Sequence, residues 1–176
     1  ERAAVDVKDL SAELEAIRAR EDVPALAAAA WRGGELLAIG ATGFRKAGGD
    51  ERVTVEDAWH LGSDTKAMTA VLAALWIDRG KLRFDETLGD VFGAGVNAGL
   101  AAVTIEQLLQ QRAGFAGAMS PERLATMWRA GEGAEARARF VGELLAEPPA
   151  VPPGTFEYSN ASYIVLGAAI ERTTGS

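Results

Sequence analysis

The chain has 176 residues, of which 48% are hydrophobic and 24% charged, as in an ordinary globular domain. Its formal net charge of -7 and its lack of a basic stripe argue against a nucleic-acid partner. The chain has no cysteine and a single histidine, His60, so disulfides and thiol catalysis are excluded and no metal or organic cofactor is implied.

Residues 1–58 are predicted to hold one helix and the first two strands of a sheet. Apolar residues spaced between charges predict an amphipathic helix from Val5 to Arg20. Two short apolar runs around a Gly-Gly pair predict a hairpin with strands at 25–32 and 35–43, although the alanines of the first run leave a helix as the alternative. Since a lone hairpin is marginal in water and has open edges, we expect the remaining strands to come from a second polypeptide, such as the C-terminal half of the same protein in a nicked chain.

Residues 59–176 are predicted to form a helical domain. The segment "DTKAMTAVLAALWIDR", from Asp64 to Arg79, is apolar nearly all round after its first turn, which is typical of a helix buried inside a domain. Gly80 is well placed to end this helix in the left-handed conformation. No apolar stretch reaches the roughly 18 to 20 residues that cross a bilayer, so we expect no membrane span.

Further helices are predicted downstream. A short one in "TIEQLLQQRAG" should begin after an N-cap at Thr104 and end before Gly114. Two more are predicted near 121–130 and 134–147, ahead of the helix-breaking, proline-rich segment "EPPAVPPGT".

Ser63 and Lys66 are the first candidate site residues, because residues i and i+3 share a helix face with Cβ atoms roughly 5 to 6 Å apart. A serine hydroxyl is a weak nucleophile unless a base takes its proton, and a desolvated lysine can be that base. The helix N-terminus offers backbone N–H groups to a developing oxyanion. The structural alternative is that Ser63 caps the helix and Lys66 is a solvated residue of its first turn.

The segment "PPGTFEYSNASY" holds the second candidate pair. Tyr158 is a candidate base or proton shuttle, and Asn160 is a candidate amide that orients a substrate. The structural alternative is that Asn160 is the N-cap of a last helix ending at Gly175, while Tyr158 is a hydrophobic staple. Tyr163 falls on the apolar face of that helix and is predicted to be a core residue.

His60 is the third candidate, since a Ser-His-Asp triad in this chain would have to use it. An extended segment leading into the helix would point His60 away from Ser63. We therefore predict a packed structural histidine.

The combination of motifs points to a family. "GSDTK" at 62–66, followed far downstream by "YSN" at 158–160 after a "PPGT" turn, resembles the class C β-lactamase and family VIII esterase group of serine hydrolases, which are related to penicillin-binding proteins. The flanks "HLGSDTKAMTA", "TIEQLLQQRAG" and "PPGTFEYSNASYIVLGAAIERTTG" are similar to the family's nucleophile segment, leucine-rich helix and tyrosine segment. This resemblance implies a β-lactamase/transpeptidase-like α/β fold, in which helices flank an antiparallel sheet beside a helical domain and the sheet is incomplete in this chain.

The resemblance also implies roles for the candidates. Ser63 would be the acylated nucleophile, and its backbone N–H would be one oxyanion donor. Lys66 would hold the proton network, and Tyr158 would act with it as general base. Asn160 would hydrogen-bond both the substrate and Lys66. The implied reaction is hydrolysis of a small-molecule β-lactam or carboxylic ester, and the resemblance favours a periplasmic or secreted location.

Two features depart from the family. Many relatives read Leu-Leu-x-His-x-Ser-Gly where this chain reads "LQQRAG" from Leu109 to Gly114, and we expect little effect on chemistry. The third family motif, a strand with Lys-Thr-Gly or His-x-Gly that would supply a second oxyanion donor, is absent downstream of Tyr158, so we expect this chain alone to be inactive. The alternatives are a module that binds penicillin or peptidoglycan stems without turnover, and a structural helical domain.

Overall fold

The computed structural model describes residues 6–123, 125 and 133–175. The chain divides into two compact units, residues 1–60 and residues 61–176. In the described part of the chain, no helix is both long enough and apolar enough to cross a membrane.

The first unit is a three-stranded sheet with one helix. Its elements are β1 (Lys8–Asp9), α1 (Ser11–Glu21), β2 (Ala25–Arg32) and β3 (Glu35–Gly43). The strand order is β1-β3-β2, with β2 antiparallel and β1 parallel to β3. Both hairpin strands are confirmed at the predicted residues, and their turn has positive φ at both of its glycines, as a type I′ turn requires. The sheet is mixed rather than antiparallel as expected, because β1, a strand not predicted from the sequence, pairs parallel to β3.

The predicted start of the first helix is wrong. Lys8 and Asp9 pair with β3 instead of continuing a helix, and α1 begins only at Ser11. The Asp9 carboxylate accepts hydrogen bonds from the Ser11 N–H (2.8 Å) and hydroxyl (2.6 Å), which turns the chain into the helix. Val5, the predicted first residue, lies outside the described residues.

The helix α1 is tied to the sheet through a carboxylate. Glu15 accepts hydrogen bonds from Arg18 one turn along (2.8 Å) and from the Thr42 hydroxyl on β3 (2.5 Å). Because both bonds favour the ionised form, they lower the pKa of Glu15 from 4.5 to about 2. This cross-link fixes the position of α1 along β3.

The second unit is helical and has its core around its last helix. A 3₁₀ turn (Gly62–Asp64) leads into α2 (Thr65–Asp78), which is followed by α3 (Leu88–Phe92), α4 (Ile105–Leu109), α5 (Ala134–Ala146) and α6 (Asn160–Thr174). The helix α6 contacts α2, α3, α4 and α5. Its buried side chains include Val165, Leu166, Ala168, Ala169 and Ile170. The predicted helix at 134–147 is confirmed, whereas most of the one at 121–130 lies outside the described residues.

Local signals account for several helix ends. Gly80 has φ +66° and closes α2 with the paired hydrogen bonds of a Schellman motif, as predicted. Thr104 is the N-cap of α4 and forms a capping box with Gln107. The helix α4 ends earlier than expected, at Leu109, because Gln111 adopts the left-handed conformation with φ +59°.

The prediction that the helix from Asp64 to Arg79 is buried is wrong for this chain. The only buried residue of α2 is Ala73. Apolar side chains on α2 are 44% to 61% exposed, namely those of Met68, Val71, Leu72 and Leu75. A helix that is apolar all round needs neighbours on every side to be buried, and α2 has them on the side that meets α6.

Gly43 at the end of β3 provides a test of the sheet unit. It has φ +95°, and a Cβ there would overlap the Pro24 carbonyl and lie 2.7 Å from the Ala25 Cα. Gly48 has φ +72° but open space around it, so an alanine there would strain the backbone without its Cβ overlapping any neighbouring atom. We expect Gly48→Ala to lower the free energy of unfolding by about 1 kcal/mol and Gly43→Ala by about 3 kcal/mol, measured by urea denaturation. Equal losses in the two variants would contradict the close approach of β2 and β3 at this end.

Candidate active site

Ser63 lies where the chain turns sharply into α2. Gly62 precedes it with φ +55°, a conformation that suits glycine, and Ser63 is the middle residue of the 3₁₀ turn. Lys66 follows in the first turn of α2 and is half-buried. Its Nζ donates a hydrogen bond to the Ser63 Oγ at 3.0 Å. The i, i+3 pairing expected from the sequence is therefore present.

The first turn of α6 supplies the other side of the site. Tyr158, just before that helix, donates a hydrogen bond from its hydroxyl to the Ser63 Oγ at 2.7 Å. The Asn160 Oδ1 accepts a hydrogen bond from the Lys66 Nζ at 2.7 Å. All four candidate side chains thus form one connected network, although Ser63 and Tyr158 are 95 positions apart in the sequence.

The prediction that Asn160 caps the last helix is wrong. Ser159 is the N-cap: its extended backbone precedes the helix, and its Oγ accepts a hydrogen bond from the Ala161 N–H. The same hydroxyl donates to the Ala116 carbonyl at 2.6 Å. Because Ser159 takes the capping role, the Asn160 amide is left to bind Lys66. The sequence carried a signal for this, since serine is as good an N-cap as asparagine.

The charge of Lys66 acts on the phenol of Tyr158. Lys66 Nζ lies 4.9 Å from the centre of the Tyr158 ring. Hydrogen bonding to Lys66, and then to Ser63, lowers the pKa of Tyr158 below its ordinary value of 10.0. A phenol with a lowered pKa yields a phenolate more readily, which is the form that can accept a proton.

The remaining candidates take no part in this network. Tyr163 packs partly buried against the core and donates a hydrogen bond to the Leu109 carbonyl at 3.2 Å, and burial raises its pKa. The prediction that His60 is packed is wrong, since His60 is exposed. In the described ranges, no cluster of three or more His, Asp or Glu residues has the arrangement of a metal site.

The family profile of the β-lactamases matches residues 10–176. The chain belongs to the β-lactamase family. The resemblance inferred from the Ser-x-x-Lys and Tyr-Ser-Asn motifs and their flanks is thereby confirmed at the level of the family, and so is the β-lactamase/transpeptidase-like fold. Membership supports a function like that of a serine hydrolase.

Individual relatives agree with this placement. The chain is 32% identical over 165 residues to penicillin-binding protein 4 of Amycolatopsis lactamdurans, covering 92% of the chain and 41% of that protein. It superimposes on the crystal structure of SurE with D-Leu with a TM-score of 0.75 at 28% identity, over 94% of the chain and 35% of SurE. A β-lactamase from Sulfitobacter sp. EE-36 gives a TM-score of 0.72 at 27% identity, over 93% and 42%. The chain therefore spans about two fifths of the length of these relatives.

The phenol network can be tested by alkaline titration. The chain has only two tyrosines, and their pKa values are moved in opposite directions, so phenolate absorbance should rise in two steps. We expect the earlier step to vanish in Tyr158→Phe, which assigns it. Lys66→Met should move that step to higher pH, because the nearby positive charge that favours the phenolate is gone.

A single step at the ordinary pKa of tyrosine in the unaltered chain would contradict the contact between Lys66 and Tyr158. The Tyr163→Phe variant is the matched control, since it should remove only the later step.

Proposed function

We propose that this chain carries the nucleophile and the general base of a serine hydrolase that acts through an acyl-enzyme on a β-lactam amide or a small carboxylic ester. One observation carries the proposal: the Ser63 Oγ accepts hydrogen bonds from both the Lys66 Nζ (3.0 Å) and the Tyr158 hydroxyl (2.7 Å). A serine held between a cation and an acidified phenol has both the proton acceptor and the positive charge that a nucleophile requires. Since the chain spans about two fifths of its relatives, the activity proposed is that of the whole protein.

Acylation begins once the Tyr158 phenol, whose pKa is lowered, has lost its proton to solvent and has become the phenolate. The Ser63 Oγ forms a bond to the substrate carbonyl carbon while its proton passes to the Tyr158 oxygen. When the tetrahedral intermediate collapses, the carbon–nitrogen bond of a β-lactam, or the carbon–oxygen bond of an ester, breaks. The leaving nitrogen or oxygen takes the proton from Tyr158, which leaves an ester on Ser63.

Deacylation reverses the roles. A water molecule attacks the acyl carbon and gives its proton to the Tyr158 phenolate. The bond to Ser63 then breaks, and the serine oxygen recovers the proton from Tyr158. Lys66, which is held by Asn160, lowers the pKa of Tyr158 and so favours the phenolate before each step.

The Ser63 N–H is proposed as one oxyanion donor. The first turn-closing hydrogen bond of this segment runs from the Asp64 N–H to the Leu61 carbonyl at 3.2 Å, so the N–H of Ser63 precedes the hydrogen-bonded part of the helix. A second donor would have to come from the strand that carries the third family motif. Loss of one such donor typically lowers the rate about 100- to 1,000-fold.

We further infer that additional protein covers two surfaces of this chain. One is the apolar face of α2 formed by Met68, Val71, Leu72 and Leu75, which is too apolar to remain in water. The other is the outer edge of β2, which pairs on one side only within the described residues. A second polypeptide with the remaining strands, as expected from the sequence, would satisfy both.

The alternative function is a module that is acylated by penicillins or binds peptidoglycan stems without turnover. It is favoured by the 32% identity to a penicillin-binding protein. Both functions require Ser63 to be acylated, and they differ in whether the acyl group is released.

Intact-mass spectrometry of the purified protein, before and after incubation with a chromogenic β-lactam or with p-nitrophenyl butyrate, tests the proposal. We expect a mass increase on Ser63 that disappears with time. Ser63→Ala should abolish the adduct, and Tyr158→Phe should slow its formation about 100- to 10,000-fold with the fold intact. Ser120→Ala, which removes another exposed serine hydroxyl, should behave like the unaltered protein.

An adduct that persists would support the binding module instead. A Ser63→Ala variant that is still acylated would contradict both functions. The same spectrum reports whether a second polypeptide accompanies the chain.

A further inference from the structure

Gln111 is a buried polar residue outside the proposed catalytic group. It follows α4, is only 7% exposed, and adopts the left-handed conformation with φ +59°. Non-glycine residues adopt this conformation at a cost in free energy, so the surrounding hydrogen bonds must hold it there. The sequence alone indicates no chemical role for this position.

Gln111 holds the chain on both sides of Tyr158. Its backbone carbonyl accepts a hydrogen bond from the Glu157 N–H at 2.9 Å. Its side-chain Oε1 accepts one from the Ser159 N–H, also at 2.9 Å. A single residue therefore fixes the peptide groups before and after Tyr158, so that the direction in which the phenol points depends on it.

The next residue extends this attachment. Arg112 and Gly154 exchange two hydrogen bonds, from the Gly154 N–H to the Arg112 carbonyl (2.8 Å) and from the Arg112 guanidinium to the Gly154 carbonyl (2.7 Å). The segment leading to Tyr158 thus runs along residues 111–112. Tyr158 itself is 46% exposed, so packing around its ring does little to orient it.

The amide of Gln111 is only half satisfied. Its Nε2 is buried and has no hydrogen-bond partner in the described part of the structure. A buried donor without a partner is destabilising, and a side chain needed only to fill space would be better replaced by an apolar one. The side-chain contact that reaches the Tyr158 segment is made by the amide oxygen.

We propose that Gln111 is a positioning residue that holds Tyr158 within hydrogen-bond distance of the Ser63 hydroxyl. This role rests on the proposed function of Ser63 and Tyr158, and Gln111 acts through the backbone on either side of Tyr158 rather than on the substrate. Backbone N–H groups at the start of a helix have no partner within the helix. The Gln111 oxygen accepts the hydrogen bond of one of them, the Ser159 N–H.

The test compares three variants of the whole protein that contains this chain. Gln111→Met has nearly the same length and lacks the oxygen, whereas Gln111→Glu retains an oxygen acceptor. Gln110→Met makes the same change at the neighbouring exposed glutamine, whose side chain donates a hydrogen bond to Glu106. The readouts are the alkaline phenol titration of Tyr158 and the rate of Ser63 acylation by p-nitrophenyl butyrate.

We expect Gln111→Met to move the Tyr158 titration towards that of an ordinary tyrosine, near pH ~10, and to slow acylation about 100-fold. Gln111→Glu should restore at least part of both properties, and Gln110→Met should change neither. Because the titration needs no turnover, it reports on the position of Tyr158 even if Ser63 proves unreactive. An unreactive Ser63 would therefore count against the proposed function, whereas an unchanged titration in Gln111→Met would count against the positioning role.

A folded Gln111→Met variant with an unchanged Tyr158 titration would overturn the proposal. If that variant does not fold, amide hydrogen exchange in the unaltered protein tests whether Gln111 binds the backbone on both sides of Tyr158. The amides of Glu157 and Ser159 should exchange slowly, and exchange as fast as in an open loop would refute the attachment to Gln111.

Discussion

The hydrogen bonds made by the Lys66 ammonium are the interaction on which the site depends. The same Nζ donates to the Ser63 Oγ one turn away and to the Asn160 Oδ1 at the start of α6. This joins the first turns of two helices whose residues are 94 positions apart in the sequence. Because Tyr158 directly precedes α6, the junction also brings the phenol to the serine. Without it, the nucleophile and its proposed base would belong to two separate helix ends.

The position of α6 is set by burial. Most of the helix is enclosed by core side chains, including Val165, Leu166 and Ala169, which are not exposed at all. A helix packed on this scale has little freedom to slide or rotate, so its first residue is presented at a fixed point. Ser159 completes this by capping the helix with its own hydroxyl, which leaves the neighbouring amide free for Lys66. Helix packing thus supplies the rigidity, and the cap decides which side chain faces the site.

The helix α2 is held at its N-terminal end and exposed along much of its length. The 3₁₀ turn before α2 carries Ser63, and the first turn of α2 carries Lys66, which is held by α6. The apolar residues Met68 and Val71 further along are nevertheless about 60% exposed. A site can therefore be assembled at one end of a helix whose sides are not enclosed. The relatives are more than twice as long as the matched region, which agrees with the proposal that further protein covers this face.

By itself, the sequence determined the features that depend on neighbouring residues. The hairpin strands follow from two apolar runs around a glycine pair. The end of α2 follows from Gly80, the start of α4 from Thr104, and the Ser63–Lys66 pair from helical spacing. Only the tertiary structure decided what depends on distant partners. In the folded chain, β1 pairs with β3, and Ser159 rather than Asn160 caps α6. The apolar side of α2 is exposed, and Gln111 hydrogen-bonds to the segment around Tyr158. The reason is physical: caps and turns are satisfied within a few residues, whereas burial and long-range hydrogen bonds are defined only once the chain has folded.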